Sequence, residues 1–295
     1  MQGFLLLNKP KGITSFSAVS AIKRLVGEKR VGHTGTLDPM ATGVLPIFIG
    51  RATALSSLVI DAEKKYVATV KLGVVTDTDD ITGNVISENQ VNITPEKLTE
   101  ALNHFTGEIE QVPPMYSAIK KDGVRLYKLA REGKTVELEP RKIKVFEIKL
   151  LEGLDSENLF KIEVHVSKGT YIRSLARDIG EYLGTGATLC ELERIFVSGF
   201  SIDDTVKLEE LDSENISEYL KSEEFAVAHL PEIGVTEKQA VRFTNGGQLG
   251  FDRLKLSDFS DGALYRVKYN GLLLGIGVAD CDLAQIKIKC IINYP

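Results

Sequence analysis

The stretch RKIKVFEIKLLEGLDSENLFKIEVHVSKGTYIRSLARDIGEYLG, residues 141–184, decides the fold class. RKIKVFEIKLLEG (141–153) and NLFKIEVHVSKG (158–169) read as strands. The second alternates Phe160, Ile162, Val164 and Val166 against Lys161, Glu163 and His165, so one face is apolar and the other polar. TYIRSLARDIGEYLG (170–184) then changes period and reads as a helix, with Thr170 as its expected cap. Strands that follow one another across turn signals, with helices interspersed, predict a mixed, largely antiparallel α+β sheet flanked by helices, not a doubly wound parallel one.

The same reading extends outward. GFLLLNKPKGITSF (3–16) is a buried strand, a basic turn and the start of a helix capped by Ser15 or Ser17, which carries Val19, Ile22, Leu25 and Val26 at helical spacing and ends at Gly27. GVLPIFIG (43–50) is a strand and ATALSSLVIDAEK (52–64) a helix. KKYVATVKLGV (64–74) is a strand that puts Tyr66, Ala68, Val70 and Leu72 on one face. TDTDDITGN (76–84) is turn-rich, and TPEKLTEALNHFTG (94–107) is a helix with Thr94 as cap and Pro95 in its first turn. TEKQAVRFTNGG (236–247) is a short helix, and ALYRVKYNGLLLGIGVA (263–279) a hairpin turning on Asn270–Gly271. A boundary near Pro231 divides residues 1–230 from a β-rich module, 231–295, of about 65 residues, enough to fold by itself.

Composition narrows the setting. With 295 residues and 43% hydrophobic content the chain can bury a large core. It has no run approaching a membrane span and no leader-like N-terminus, and Cys190, Cys281 and Cys290 form no C-x-x-C pair. A reducing, cytoplasmic setting is expected. The net charge of −5 argues against a polyanionic partner until its distribution is considered. Between Tyr116 and Lys149 there are ten basic residues against five acidic ones; from Ser201 to Glu232, ten acidic residues stand against Lys207 and Lys221.

Several chemistries lack their residues. There is no G-x-x-x-x-G-K-[ST], no H-E-x-x-H and no zinc deaminase pattern, and GLLLGIG (271–277) sits inside a hairpin. His104 and His165 read as ordinary surface or edge residues. What stands out is RVGHTGTLDPMATGVLPIFIG (30–50), which places His33 and Asp38 in a glycine-rich loop leading straight into a strand. An Asp before proline is a common turn former. Against that, Tyr66 puts a hydroxyl on an apolar strand face, and Arg173 sits in the first turn of a helix, where a carboxylate partner would offset the macrodipole. Arg173 can equally be a surface residue and Tyr66 a core one.

Taken in order, LLLNKPKGITS (5–15), VGHTGTLDPMATGVLPIFIGRAT (31–53), KKYVATVKLGVVTDTDDITG (64–83), PPMYSAIKKDGVRLYKLAREG (113–133) and VSKGTYIRSLARDIG (166–180) resemble the TruB family of pseudouridine synthases. The resemblance implies the pseudouridine synthase fold, with residues 231–295 similar in position and β-character to a PUA-type RNA-binding domain. It also implies isomerisation of the T-loop uridine of tRNA, position 55, to pseudouridine without metal or other cofactor. Asp38 would be the nucleophile, Arg173 its partner, Tyr66 the tyrosine that stacks on the uracil, and His33 the group that fills the space of a flipped base. Lys9, Lys11, Lys120 and Lys121 are expected phosphate contacts. The resemblance favours the stand-alone bacterial type, a monomer with tRNA as its partner, no obligate protein partner and no membrane. Two other readings stay open: an RNA-binding or tRNA-folding module with little catalysis, and a glycosidic hydrolase, for which Asp77, Asp79 and Asp80 are the local candidates for a second carboxylate.

Overall fold

The FLLL run is apolar on every side because both faces of its strand are covered. The computed structural model describes residues 1–59, 63–117, 119–121, 123–134, 136–254 and 258–295. Its first strand, β1 (Gly3–Lys9), turns Leu5 and Leu7 toward helix α1 (Ser15–Val26), where Ala18, Val19 and Ile22 meet them. Phe4 and Leu6 face the other way, into a cluster with Phe48, Phe200, Leu273, Ile276 and Ile292. Burying a side chain of this size contributes about 1.5–3 kcal/mol, so β1 is a major anchor of the fold.

Among the described residues the main sheet has ten strands. After β1 come β2 (Thr42–Ile49), β3 (Lys64–Leu72), β4 (Gly107–Gln111), β5 (Arg141–Glu152), β6 (Leu159–Val166), β7 (Ala187–Val197) and β8 (Val206–Lys207). Their spatial order is β8-β1-β2-β7-β3-β6-β5-β4, with Val31–His33 beside β2 and Phe200–Ser201 beside β7. Only the β1–β8 and β2–β7 pairings are parallel. The mixed, largely antiparallel α+β architecture is as expected. Tyr66, Ala68, Val70 and Leu72 share the buried face of β3, and helices α2 (Pro95–His104) and α3 (Ile172–Tyr182) contribute Leu98, Leu102, Leu175 and Ile179 to the same core.

Three local expectations are corrected. The cap of α1 is Thr14, whose hydroxyl accepts from the Ser17 amide at 2.9 Å, because the Ser15 hydroxyl is taken up by Leu37. Thr170 does not cap α3; its hydroxyl donates to the Ser167 carbonyl, and Tyr171 stands at the cap position without a side-chain bond. Where a helix was expected over 52–64, a 3₁₀ segment (Gly50–Leu55) leads into one α-turn (Ser56–Val59), and residues 60–62 lie outside the described residues.

A second sheet follows from β9 (Glu232–Gly234), β10 (Leu249–Gly250), β11 (Leu264–Tyr269), β12 (Leu272–Asp280) and β13 (Gln285–Ile291), in the order β9-β11-β12-β13-β10, with α4 (Glu237–Thr244) packed against it. Its β11–β12 turn is Asn270–Gly271, both with positive φ, which matches the twist of a tight hairpin. This sheet is clasped to the body. Asn293 donates to Glu223 and accepts from Gln2, and Arg51 lies 4.7 Å over the Tyr294 ring. The two ends of the main sheet differ in charge: Arg141, Lys142, Lys144 and Lys149 lie in β5 near one edge, and acidic residues 203–214 surround β8 at the other. No helix among the described residues is long and apolar enough to cross a membrane.

Candidate active site

The loop between Val31–His33 and β2 is held from below by the turn between β1 and α1. The Ser15 hydroxyl accepts from the Leu37 amide at 2.9 Å and donates to the Leu37 carbonyl at 3.0 Å. The Gly12 amide donates to Pro39 at 2.7 Å. Lys9, at the end of β1, is wholly buried, and its ammonium donates to the carbonyls of Pro10 and Ile13 at 2.8 Å and of Pro39 at 3.5 Å. Burial brings its pKa down to about 8 despite the attraction of Asp38. These contacts correct its expected role: Lys9 is a strut of the loop, with its donors used up, and does not present itself to phosphate.

Asp38 is fixed by this frame and points at α3. Arg173 holds it with two donors, Nε to Oδ2 at 2.9 Å and Nη2 to Oδ1 at 3.3 Å, the fork geometry that arginine offers a carboxylate. The guanidinium is itself anchored, donating to the carbonyls of Tyr116 at 2.8 Å and Thr78 at 3.1 Å. Its side chain is 5% exposed and that of Asp38 is 35% exposed, so the cation is sealed inside while the carboxylate reaches the surface. Desolvation pushes the Asp38 pKa up from its ordinary value, Arg173 pulls against it, and Asp80 adds to the rise.

Asp80, in the turn-rich 76–84 segment, stabilises its own turn: its Oδ1 accepts from the Thr82 amide at 3.0 Å. It is also buried and stands 3.7 Å from Arg173 Nε, so the two carboxylates share one guanidinium. Sequence spacing could not show this, because Asp38 and Asp80 meet only through α3. Asp79, the other nearby candidate, pairs with Arg177 at 3.2 Å.

Tyr66 is buried on β3 directly opposite Arg194 of β7. Arg194 is 1% exposed and donates to Val44 and Gly35 carbonyls, each at 2.8 Å. It drew no attention in the sequence, where an arginine in an alternating strand reads as a solvent-facing residue. Two of the loop glycines are explained by it. Gly43 has φ +103°, and a Cβ there would stand 2.3 Å from the Arg194 carbonyl; at Gly35 a Cβ would come within 3.0 Å of the guanidinium. His33 is partly buried beside the loop, and burial, aided by the Arg194 charge, lowers its pKa. Lys11 and Lys121 are exposed; Lys11 pairs with Glu191 at 3.5 Å and Lys121 donates to the Glu137 carbonyl. The Lys120 side chain lies outside the described residues.

The family models place this arrangement. Residues 23–172 match the TruB family pseudouridylate synthase N-terminal domain, and residues 173–230 the tRNA pseudouridylate synthase B C-terminal domain. Proteins named tRNA pseudouridine synthase B are similar over nearly the whole chain. That of Clostridium perfringens is 42% identical over 282 residues, covering 95% of this chain and 96% of its own. That of Clostridium acetobutylicum is 43% identical over 288 residues, covering 98% of each. Among solved structures, a chain of a Cbf5-Nop10-Gar1 complex superposes with a TM-score of 0.76 at 26% identity, covering 99% of this chain and 85% of that one. A chain of an H/ACA ribonucleoprotein bound to a substrate RNA containing 2′-deoxyuridine gives 0.74 at 25%, covering 99% and 87%. By sequence and by fold, the chain belongs to the TruB family of pseudouridylate synthases.

Proposed function

We propose that this chain isomerises uridine to pseudouridine in tRNA, at the T-loop uridine of position 55, with Asp38 as the nucleophile. The names of its relatives support tRNA as substrate. The single observation that carries the chemistry is the Asp38–Arg173 pair: a carboxylate gripped by a buried, fully anchored guanidinium, yet itself open to a ligand. The N1–C1′ bond breaks, the uracil turns, and C5 bonds to C1′; C5 then loses its proton while N1 gains one, so no group is added and no electron is exchanged. An ionised carboxylate suits this, because it can hold one of the separating parts in a covalent intermediate. Arg173 keeps the charge on Asp38 and fixes its direction. Tyr66 stacks on the uracil and takes part in removing the C5 proton.

A T-loop uridine is folded inward, so it must be extruded at a cost of a few kcal/mol. The imidazole of His33, on the same loop as Asp38, fills the space it leaves. Splayed bases are commonly received on aromatic or imidazole planes while cations hold the backbone. Lys11 and Lys121 serve that second purpose, and the basic edge at β5 faces the RNA in preference to the acidic edge at β8. Residues 231–295 act as the PUA-like RNA-binding module, and the enzyme works as a monomer in the cytoplasm.

The test uses a tRNA transcript carrying tritium at uridine C5. Stoichiometric release of label to water, abolished by replacing the T-loop target with cytidine, is the expected result. Asp38→Asn should bind the same tRNA and release none, because the amide keeps the shape and loses the nucleophile. Free uracil among the products would make the enzyme a hydrolase, and binding without release in the wild type would make it an RNA-folding module.

A further inference from the structure

Arg194 is a buried cation that the chemistry above does not use. It is 1% exposed, and among the described residues no carboxylate pairs with it. A buried charge left without a counter-ion is costly unless its donors are met, and here two of its nitrogens meet particular acceptors. Nε donates to the Val44 carbonyl and Nη2 to the Gly35 carbonyl, each at 2.8 Å. These two carbonyls lie on either side of Asp38, one before it and one after. In register, Arg194 stands opposite Gly43 on β2 and opposite Tyr66 on β3. The planar fork of an arginine serves two such acceptors from separate nitrogens in fixed directions, which the single ammonium of a lysine does not.

We propose, resting on the isomerase reading above, that Arg194 is a positioning residue: from its place opposite Tyr66, one buried guanidinium ties the arm before Asp38 to the arm after it, so that the nucleophile's loop keeps a fixed geometry on the strands beneath it. The glycines at 35 and 43 permit this close approach, since a side chain at either would displace the guanidinium or the β7 backbone.

The test compares Arg194→Lys with the wild type in tritium release at saturating and limiting tRNA, with amide hydrogen exchange on each protein. Arg194→Lys should lower kcat about tenfold or more with KM changed little, the signature of misplaced groups and not of lost binding. Amides of residues 31–44 should exchange faster in Arg194→Lys while those of β7 stay protected. A normal kcat in a folded Arg194→Lys, or amides of residues 31–44 that exchange as in the wild type, would overturn the clamp. If Arg194→Lys does not melt cooperatively, Arg194→Gln replaces it in both measurements. A wild type that releases no tritium would sink the isomerase reading instead, and the exchange data would still decide the clamp.

Discussion

Asp38 and Asp80 share Arg173 but are not equivalent: Asp38 is partly open and Asp80 is closed in by its own turn. Because burial and the Asp80 charge both raise the Asp38 pKa, the acid limb of the turnover profile should lie above the ordinary carboxylate range, activity falling as Asp38 takes up a proton. Removing one of the two causes must move the limb down. Asp80→Asn should therefore shift it to lower pH while also lowering the rate, through a less firmly seated Arg173; an acid limb that does not move would show that Asp80 exerts no charge effect on Asp38. At this scale the sequence was half legible. Asp38, Tyr66 and Arg173 stood out because each broke a local expectation: a carboxylate among glycines, a hydroxyl on an apolar face, a cation at a helix start. Asp80 and Arg194 broke none. An Asp in DTDD is an ordinary turn former, and an arginine in an alternating strand looks exposed until the Asp38 loop closes against it.

At the scale of elements, the apolar periods carried most of the information, and β1, β3, β6, α2 and the Asn270–Gly271 hairpin fall where those periods put them. Caps were less legible, since a serine or threonine hydroxyl can serve either its own helix or a neighbouring segment. Ser15 was free to cap α1 on paper, but in the fold it is committed to Leu37. The junction where β2 meets β7 is the tightest in this region. Gly43→Ala would have to adopt φ +103° and place its Cβ 2.3 Å from the Arg194 carbonyl, so a loss of about 2 kcal/mol or more in urea unfolding is expected. A stability change within a few tenths of a kcal/mol would mean that the strands part there easily, contrary to the register.

At the scale of the whole molecule, the two sheets are joined through one apolar cluster. Phe4, Phe48 and Phe200 from the body pack with Leu273, Ile276 and Ile292, and Gln2, Glu223 and Asn293 form a polar clasp beside them. A sequence boundary near Pro231 marks a change of segment, but hydrophobic pattern could not reveal that the cluster would be shared, since each sheet has an apolar face of its own. A fragment ending at residue 230 should expose these phenylalanines, lose its cooperative thermal transition and aggregate; a fragment that stays soluble and melts with the full chain would show that the body closes its own core. The shared cluster also sets the order of events during synthesis. Phe48 and Phe200 cover part of the outer face of β1 first, while Leu273, Ile276 and Ile292, which complete the cover, are made about 270 residues after Phe4. At about 5–20 residues per second, the nascent chain carries an incompletely covered Phe4–Leu6 face for roughly 13–55 seconds, which makes it a natural client for chaperones until the second sheet closes the cluster.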